Sequence, residues 1–530
     1  MKITKIPFEQ TGFFSKLIID YLKQSPQLQP FYNNFPDLLG FKRQIEEKQS
    51  SFKKNTRTVL VDALQNQYKK SAVSKLTQVN ITKLANENTF TITTGHQLNL
   101  FTGPLYFLYK IIAVINLATE LNAQFPESHF VPVYWMATED HDFEEINYFN
   151  LRGKKVQWNN SQTGAVGRFS TEGLEKVFKA FAAEIGDSKN ANFLKQLFKK
   201  GYLEQSSLAG ATRFIVNELF ADQGLVIVDA DDKDLKELFI PYIKEELENQ
   251  TSYKTVSKTI TDLELNYKIQ VNPRKINLFY LGKNFRERIV FDGNVYSVNN
   301  TGISFTKEEI LEELKRNPTA FSPNVILRPL YQEVILPNLC YVGGGGEMAY
   351  WFELKKYFES VVVPFPILLL RNSVQIVTQK QAQKLEKLNI ATEEIFLQQN
   401  DLLSKKVIEN SAIEIDFNKK LAFLKDQFND LKEIAAKTDK SFVNAVNAQE
   451  TKQLKGLKTL EKRLLKAEKK RQADLVYQIT NLQNELLHNQ SLEERYRNFS
   501  ELYLAHGHHF LKAIKLVLKP LELKFLVLEI

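Results

Sequence analysis

The chain contains very little cysteine and no long uninterrupted hydrophobic run. Its single cysteine, Cys340, cannot form a disulfide within the chain, which is typical of a protein in a reducing cytosol. The longest nearly apolar run, VVVPFPILLL at residues 361–370, is much shorter than the roughly 20 residues that a membrane-spanning helix needs. The first residues, MKITKIPFEQTGFFSKLIIDYL, lack the pattern of a signal peptide. We therefore expect a cytoplasmic protein without a membrane segment.

Several nucleotide and metal signatures are also missing. The glycine run at residues 343–346 is not followed by Lys-Ser or Lys-Thr, so it is not a Walker A loop. It also lacks the acidic residue at the end of a following strand that accompanies a dinucleotide fingerprint. No cysteine pair or His-x₃-His spacing indicates a metal site. We therefore predict no metal ligands, and the need for a metal stays open.

The charge of the chain is positive and unevenly spread. The 530 residues carry a net charge of +8, and residues 452–471 hold nine Lys or Arg against two Glu. Such a stripe can attract nucleic acid or another anionic surface, but it is more often the solvated face of a long helix. Because no aromatic residues interleave with it, we expect no nucleic-acid partner, and a nucleic-acid-binding coiled-coil protein is the lesser alternative.

Alternating segment types predict an α/β fold with a parallel sheet. A β-rich run at 89–94 is followed by apolar positions at helical spacing over 104–124 and by a second buried strand at 130–138. Further strands are predicted at 224–232 and 361–370. Length alone predicts about two to four domains.

We predict three parts of the chain. Residues 1–375 form the α/β core with a small β-rich insertion around 250–305. Residues 376–505 carry two heptad seams separated by a polar stretch, which predicts an antiparallel coiled-coil arm and suggests a homodimer. Residues 506–530 end in a strand that is expected to return to the core.

The first polar cluster is GHQLNLFTGP, between the first strand and the first core helix. His96 and Gln97 are expected at the carboxyl end of a strand, where open α/β sheets bind ligands. Thr102 is predicted to cap the helix, whose free N–H groups suit an anion. The alternative is that these residues only form a turn.

The second cluster is TEDHDFEEIN, at the end of the second strand. Crowded carboxylates raise one another's pKa, and a histidine beside them is held in one tautomer, which suits a general base. The candidate catalytic residues are His141, Asp142 and Asp140. Capping of the next helix is the alternative, and it explains Glu144 and Glu145 best, whereas Asp140, His141 and Asp142 are harder to explain in this way. A metal site is only weakly indicated.

The third cluster is LRPLYQEVILPNLCYVGGGGEMAYW, where glycines offer backbone N–H groups to an anion and arginine can bind a carboxylate or phosphate bidentately. A flexible turn beside a structural arginine is the alternative, and Arg371 is equally a salt-bridge candidate. Cys340 is expected to serve packing. The candidate substrate- or nucleotide-binding residues of the chain are Gly95, His96, Gln97, Thr102, Gly103, Arg328, Gln332, Gly343, Gly344, Gly345, Gly346, Glu347, Tyr350 and Arg371.

Together the three motifs, in this order and followed by a coiled coil, resemble the bacillithiol biosynthesis cysteine-adding enzyme family, a family of cysteine ligases. The family usually has Gly-Gln-Gln where this chain has Gly95-His96-Gln97. The resemblance implies a Rossmann-like core with inserted connecting segments, akin to class I aminoacyl-tRNA synthetases, and a coiled coil that mediates dimerisation. It implies that cysteine is added to the amino group of glucosaminyl malate, which gives bacillithiol.

Amide formation from a free carboxylate needs activation, for which ATP is the natural donor, although the chain has no KMSKS-like loop and no clear HIGH motif. The mechanistic hypothesis is that His141 with Asp142 deprotonates the glucosamine ammonium, while Gln97, the 102–104 helix start and the 343–346 loop hold the activated cysteine carboxyl. The alternative from another enzyme class is a Rossmann-type nucleotidyltransferase or ligase with different substrates.

Overall fold

A computed structural model describes residues 2–69, 71 and 73–530 of the chain. Two compact units are formed from separate stretches of sequence. The larger, which we call the core unit, comprises Phe14–Ser373 and Glu494–Phe525, and the smaller, the arm unit, comprises residues 2–13, Val374–Glu493 and Leu526–Ile530. No helix in the described ranges has both the length and the apolar character needed to cross a membrane.

The strands and helices are numbered in chain order. The strands are β1 (Lys2–Ile6), β2 (Thr89–His96), β3 (His129–Met136), β4 (Tyr148–Leu151), β5 (Lys154–Gln157), β6 (Val226–Asp229), β7 (Leu278–Leu281), β8 (Arg286–Phe291), β9 (Tyr296–Val298), β10 (Ser304–Phe305), β11 (Phe321–Pro323), β12 (Asn338–Gly343), β13 (Ile367–Leu370), β14 (Val374–Val377) and β15 (Phe525–Glu529). The helices are α1 (Lys16–Leu22), α2 (Leu38–Ser51), α3 (Lys54–Tyr68), α4 (Lys75–Lys83), α5 (Tyr106–Gln124), α6 (Phe143–Ile146), α7 (Leu174–Ile185), α8 (Lys189–Phe198), α9 (Leu208–Phe220), α10 (Lys233–Asn249), α11 (Thr251–Leu263), α12 (Lys307–Arg316), α13 (Leu327–Ile335), α14 (Gly345–Phe352), α15 (Lys355–Ser360), α16 (Gln379–Lys387), α17 (Gln399–Glu409), α18 (Asn418–Ala435), α19 (Lys440–Arg471), α20 (Ala473–Leu486), α21 (Phe499–His506) and α22 (His508–Val517).

The core unit is built on a five-stranded parallel sheet with the order β13-β12-β2-β3-β6. When these five strands are numbered along the chain and read from the β6 edge, the order is 3-2-1-4-5, which is that of the doubly wound Rossmann fold. The predicted parallel sheet is confirmed, and its strand β12 is the apolar, strand-like run that precedes the glycines of the third motif. The order reverses between β2 and β12, and ligands of such sheets bind outside the carboxyl ends of the strands at this switch point.

Strand β2 is rich in threonine although it lies in the centre of the sheet. The side chains of Thr91 and Thr93 donate to Oδ1 of Asn338 at 3.2 and 2.8 Å, and that of Thr94 donates to the carbonyl of Val342 at 2.7 Å. A β-branched residue suits a strand, and each of these three hydroxyls finds an acceptor on β12. These bonds fix β2 against β12, and so fix the position of the switch point.

The predicted β-rich insertion is an antiparallel five-stranded sheet with the order β10-β9-β8-β7-β11. It differs from the expected range of 250–305 at both ends. Residues 251–263 form helix α11, and the sheet extends to Pro323 through strand β11. The last strand was missed because it is only three residues long and contains a proline.

The arm unit contains a three-stranded sheet, β1-β15-β14, and the helical hairpin α18–α19. Phe428, Ala435 and Val446 form a buried cluster near the tip of the hairpin. The tip is shorter than expected because residues 440–451 are helical, and the second seam is interrupted at Gln472, between α19 and α20. Strand β15 pairs with β1 and β14, whereas residues 494–525 belong to the core unit.

Candidate functional site

The carboxyl ends of β2 and β12 meet at a glycine. A Cβ atom on Gly95 would lie 3.2 Å from the hydroxyl of Tyr341 and 3.6 Å from Nη1 of Arg328. The first of these contacts is tighter than a side chain tolerates without a shift of its neighbour. Gly95 therefore lets two polar side chains of other elements come up against the end of β2.

A buried lysine joins the two strand ends. Lys110, from helix α5, is 1% exposed, and its Nζ donates to the carbonyl of Gly95 at 2.6 Å and to the carboxylate of Glu347 at 2.7–2.8 Å. Lys110 was not among the predicted site residues. The sequence did mark its position, because Lys110 is the one charged residue in the otherwise apolar run LYFLYKIIAVI.

Glu347 completes this connection from the other side. Its carboxylate accepts the N–H of Gly344 and the hydroxyl of Tyr341, both at 2.8 Å. Burial raises the pKa of Glu347, but the charge of Lys110 and these hydrogen bonds outweigh it, so the pKa lies below its ordinary value. Burial lowers the pKa of Lys110, and the charge of Glu347 opposes this shift. The ionised Glu347 carboxylate holds the glycine turn against the end of β2.

Arg328 offers the cationic group best placed for a ligand here. Its Nη1 donates to Gln332 at 3.1 Å, its Nη2 donates to the hydroxyl of Tyr350 at 3.2 Å, and its guanidinium lies 5.6 Å from the ring centre of Tyr341. No described carboxylate forms an ion pair with it. Gln332 is fully buried beneath Arg328, so it supports the arginine instead of facing a ligand.

His96 lies between these cations as a neutral imidazole. Burial and the nearby charges of Lys110 and Arg371 lower its pKa well below the ordinary value. Its Nε2 atom is buried and has no hydrogen-bond partner among the described residues. This atom is a free donor or acceptor for a ligand, depending on the tautomer.

Arg371 was predicted either to bind an anion or to form a salt bridge, and the structure shows the salt bridge. Its Nη2 lies 2.7 Å from Oε1 of Glu494, and its Nη1 donates to the carbonyl of Asn372 and to Ser373. Its guanidinium also stacks 5.0 Å from the ring centre of Tyr106. We call Lys110, Arg328, Arg371, Glu347 and Glu494, with His96, the basic cluster.

The prediction that Thr102 caps helix α5 is wrong. Thr102 has a φ of +69°, Gly103 has a φ of +61°, and α5 begins only at Tyr106 with Leu105 in the cap position. The side chain of Asn498 donates to the carbonyl of Gly103 at 2.6 Å, and the N–H of Leu105 bonds to the carbonyl of residue 497. The segment after residue 494 therefore covers the helix start where the anion was expected.

A second group of polar side chains lies at the carboxyl ends of β3 and β6. We call it the acidic cluster: Glu139, Asp140, Glu145, Asp229 and Asp231, with the cations Arg168, Lys236 and Arg286, and His141. Gln97 was predicted to help hold the activated cysteine carboxyl, but its Nε2 donates to Asp140 and Glu145 at 2.9 Å each. His96, the last residue of β2, and Gln97, the residue after it, thus belong to different clusters.

Asp140 organises the exposed side of the acidic cluster. Burial raises its pKa, but hydrogen bonds from the backbone N–H of His141 and the side chain of Gln97 and the charge of Arg286 outweigh burial and place the pKa below its ordinary value. His141 lies with Nδ1 3.6 Å from Oδ1 of Asp140 and 3.0 Å from Nη1 of Arg286. Asp142 is exposed, and no described side-chain hydrogen bond joins it to His141.

The carboxylates on the buried side of the acidic cluster have pKa values shifted in the opposite direction, upward. Burial raises the pKa of Glu139, although Lys236 pairs with it, and burial raises the pKa of Asp229, which accepts the hydroxyl of Thr138 at 2.6 Å. Arg168 binds Asp231 through two bonds of 2.6 and 2.7 Å. The three cations of this cluster were not predicted because they come from sequence-distant loops, a helix and the insertion.

The two clusters therefore offer opposite charge at one edge of the sheet. The basic cluster holds three cations against two carboxylates, and the acidic cluster holds five carboxylates against three cations. No group of His, Cys, Asp and Glu in the described part of the chain has the geometry of a metal site. The arrangement can bind a molecule that carries an anionic end and a cationic end.

Comparison with known proteins gives matches over the whole chain. The model "Bacillithiol biosynthesis BshC, N-terminal Rossmann-like domain" matches residues 1–372, and the BshC C-terminal coiled-coil domain matches residues 374–530. A Flavobacterium johnsoniae protein named "Putative cysteine ligase BshC" is 56% identical over 525 residues, 99% of both chains. Proteins with the same name from Christiangramia forsetii and Cytophaga hutchinsonii are 55% identical (99% of this chain, 98% of the relative) and 41% identical (93% and 92%).

Proposed function

The chain belongs to the bacillithiol biosynthesis BshC family, and from this premise we propose that it is a cytoplasmic ligase that joins L-cysteine to the glucosamine amino group of glucosaminyl malate, the last step of bacillithiol biosynthesis. The observation that supports the proposal most is the pairing of a basic and an acidic cluster at the switch point of the sheet. Glucosaminyl malate carries two carboxylates at one end and an ammonium group at the other.

From the charges of the two clusters we propose an orientation for this substrate. The malate carboxylates lie against the basic cluster, where Arg328 can form charge-assisted hydrogen bonds and Nε2 of His96 is free to take part. The ammonium group lies toward the acidic cluster, where Asp140 is ionised. Gln97 stands between the two, next to His96, and its amide orients the Asp140 carboxylate.

Amide formation requires an activated cysteine carboxyl, and ATP is the proposed source of that activation. Gly345 and Gly346 are the first residues of α14, so no preceding turn of the helix accepts their N–H groups. They are the residues that would hold a phosphate, since helix N-termini favour anions. The N–H of Gly344 is already taken by Glu347 at 2.8 Å, so Gly344 serves the turn and not the ligand.

The substrate ammonium must lose a proton before its nitrogen can attack. The candidate residues for this step remain Asp140, His141 and Asp142. Nδ1 of His141 already faces a donor, Arg286, at 3.0 Å, whereas the carboxylates on either side of the histidine have oxygens that can accept a proton. We therefore propose that a carboxylate of this segment takes the proton and that exposed Asp142 passes it to solvent.

The test is an end-point assay by mass spectrometry. Purified protein is incubated with glucosaminyl malate and cysteine, with and without Mg-ATP, and the mass of the condensation product is sought. We expect product only with ATP, and a strong loss in Arg328→Met and Asp140→Asn. The exposed control Glu237→Gln, outside both clusters, should retain the activity. Failure of the folded wild-type protein to form product under any of these conditions would contradict the proposal.

We also propose that the arm unit forms a homodimer. Large apolar side chains are exposed on the hairpin, with Phe423 at 66% and Leu460 at 55%, and both line a groove of about 740 Å³ between α18 and α19. Light scattering coupled to gel filtration measures the mass directly. We expect twice 61.3 kDa for the wild type and a shift toward the monomer for Phe423→Glu combined with Leu460→Glu.

A further inference from the structure

Arg286 belongs to the β-rich insertion, yet its side chain reaches the acidic cluster. Its guanidinium is held from several directions by its own sheet: it lies 3.9 Å from the ring centre of Phe279, its Nε donates to Ser322 at 3.1 Å, and its Nη2 donates to the carbonyl of Pro323 at 3.1 Å. A guanidinium fixed at Nε and Nη2 has little freedom to turn. Its remaining nitrogen, Nη1, is therefore aimed by the fold.

Nη1 of Arg286 points at His141. It lies 3.0 Å from Nδ1, and the ring of Phe279 packs against the imidazole with 5.4 Å between the ring centres. A guanidinium can only donate hydrogen bonds, so Nδ1 must accept. The proton of the neutral imidazole is then on Nε2. The Nδ1–Asp140 distance of 3.6 Å is too long to compete with this bond.

We propose that Arg286 is a positioning residue that holds His141 as an Nε2–H donor, and that His141 presents this proton to an oxygen of the reacting acyl group. The inference rests on the proposed function. The His141 side chain is 46% exposed, so the imidazole is accessible to a molecule in solution. As the deprotonated substrate amine attacks the activated carbonyl, the C–N bond forms and charge builds on the carbonyl oxygen, where a fixed neutral donor stabilises it. The bond to the phosphate or adenylate group that ATP supplied then breaks, and that group leaves with the bonding electrons. The Nε2 proton stays on His141 throughout.

This assignment changes the chemistry expected of the histidine. A general base needs a free lone pair, and in this arrangement the lone pair of Nδ1 is used by Arg286 while Nε2 carries the proton. The insertion therefore does more than cover the sheet, because it selects one tautomer of a residue at the end of β3. The proton of the substrate ammonium must go to another acceptor, in agreement with the carboxylates on either side of His141.

The tautomer can be measured without any activity. The full chain is labelled with ¹⁵N-histidine, and two-bond ¹H–¹⁵N correlation spectra are recorded for its seven histidines. His141→Gln identifies the signal by its disappearance. We expect the Nε2–H pattern in the wild type and in the matched control Arg288→Met, which lies two residues further along β8. Arg286→Met should give a tautomer mixture. An Nδ1–H pattern in the wild type would overturn the proposal.

Measurements of kcat in His141 variants distinguish a hydrogen-bond donor from a general base. His141→Ala should lower kcat about 100-fold, as removal of one donor to a developing oxyanion does. His141→Gln should recover about tenfold over alanine, because the glutamine amide N–H comes close to the position of Nε2–H and stays neutral. Equal losses in the two variants would contradict the donor role. If the folded wild type makes no condensation product, the proposed function fails, while the tautomer measurement still decides the arrangement of Arg286 and His141.

Discussion

The basic and the acidic cluster lie at the same edge of one sheet, but they are built differently. The basic cluster is enclosed: Lys110 is 1% exposed and Arg371 is 5% exposed. The acidic cluster is open on the side of His141, which is 46% exposed, and closed on the side of Lys236, which is fully buried. The difference agrees with the proposal that the basic cluster is a preformed anion site and that the acidic cluster exchanges protons with solvent.

The carboxylates sharpen this contrast. In the basic cluster, Glu347 has a lowered pKa because Lys110 and several donors outweigh its burial. In the acidic cluster the pKa shifts have opposite directions. The pKa of Asp140 is lowered, whereas burial raises the pKa values of Glu139 and Asp229. Groups whose environments push their pKa values apart are typical of proton-handling sites. We therefore expect the pH dependence of the reaction to arise in the acidic cluster.

The largest effect should come from breaking the ion pair of the basic cluster. Lys110→Met leaves the Glu347 carboxylate without its cation and the Gly95 carbonyl without its donor. Loss of one partner of a buried pair costs about 3–5 kcal/mol, and we expect about 3 kcal/mol here because Glu347 keeps 29% exposure. Chemical denaturation of the full chain measures it.

A matched control for this variant is Glu237→Gln, which breaks the exposed Lys233–Glu237 pair of α10. Its unfolding midpoint should match that of the wild type within error, since exposed pairs contribute little. An unchanged midpoint in Lys110→Met as well would show that the two strand ends are held together by other contacts.

The next effect should be on the affinity for the anionic end of the substrate. Arg328→Met removes a charge-assisted donor, which contributes about 2 kcal/mol or roughly 30-fold in affinity. We expect KM for glucosaminyl malate to rise by about this factor while kcat changes less. Steady-state kinetics measure both constants. The KM of Arg328→Lys should lie between those of the wild type and Arg328→Met. A loss confined to kcat would place the anionic end elsewhere.

A smaller effect is expected at the residue between the clusters. Gln97→Ala removes two hydrogen bonds of 2.9 Å, to Asp140 and Glu145, at a partly exposed position. About 1 kcal/mol, or fivefold in kcat/KM, is expected because the Asp140 carboxylate becomes less well oriented. Gln97→Glu should be worse than alanine, since it places a third carboxylate against two others. Equal activity of the two variants would contradict an orienting role.

The smallest effect at neutral pH concerns how stability varies with pH. Asp140 has a lowered pKa when folded, so its contribution is present above the unfolded value of about 4 and is lost as pH falls through the folded value. Asp229 has a raised pKa, so stability falls as pH rises from about 4 through the folded value. Asp229→Asn should flatten the decline above pH about 4, whereas Asp140→Asn should flatten the loss on acidification. Denaturation curves from about pH 2 to 7 cover both ranges, because the Asp140 effect lies below about pH 4 and the Asp229 effect above it. Identical slopes in the two variants would contradict opposite shifts.

Sequence patterns predicted where the strands end, and therefore which motifs meet. Gln97 and Asp140 are 43 positions apart, but adjacent parallel strands bring them to 2.9 Å. Lys236 and Arg286 were missed because nothing local marks them, and only tertiary packing brings them to the strand ends. Lys110 did have a local signal, as a charged residue in an apolar helix, but its partners at the strand ends could not be read from the sequence. The prediction that Thr102 caps α5 was wrong because Thr102 has a φ of +69°, and amino-acid propensities give no sign of this rare backbone conformation.

The most direct test of the division between the clusters is binding of L-malate, measured by isothermal titration calorimetry, to the wild type, Arg328→Met and Asp140→Asn. Malate carries only the anionic end of the proposed substrate. We predict that Arg328→Met weakens malate binding about 30-fold and that Asp140→Asn leaves it unchanged or slightly stronger. Unchanged binding in Arg328→Met, or a loss in Asp140→Asn, would contradict the account.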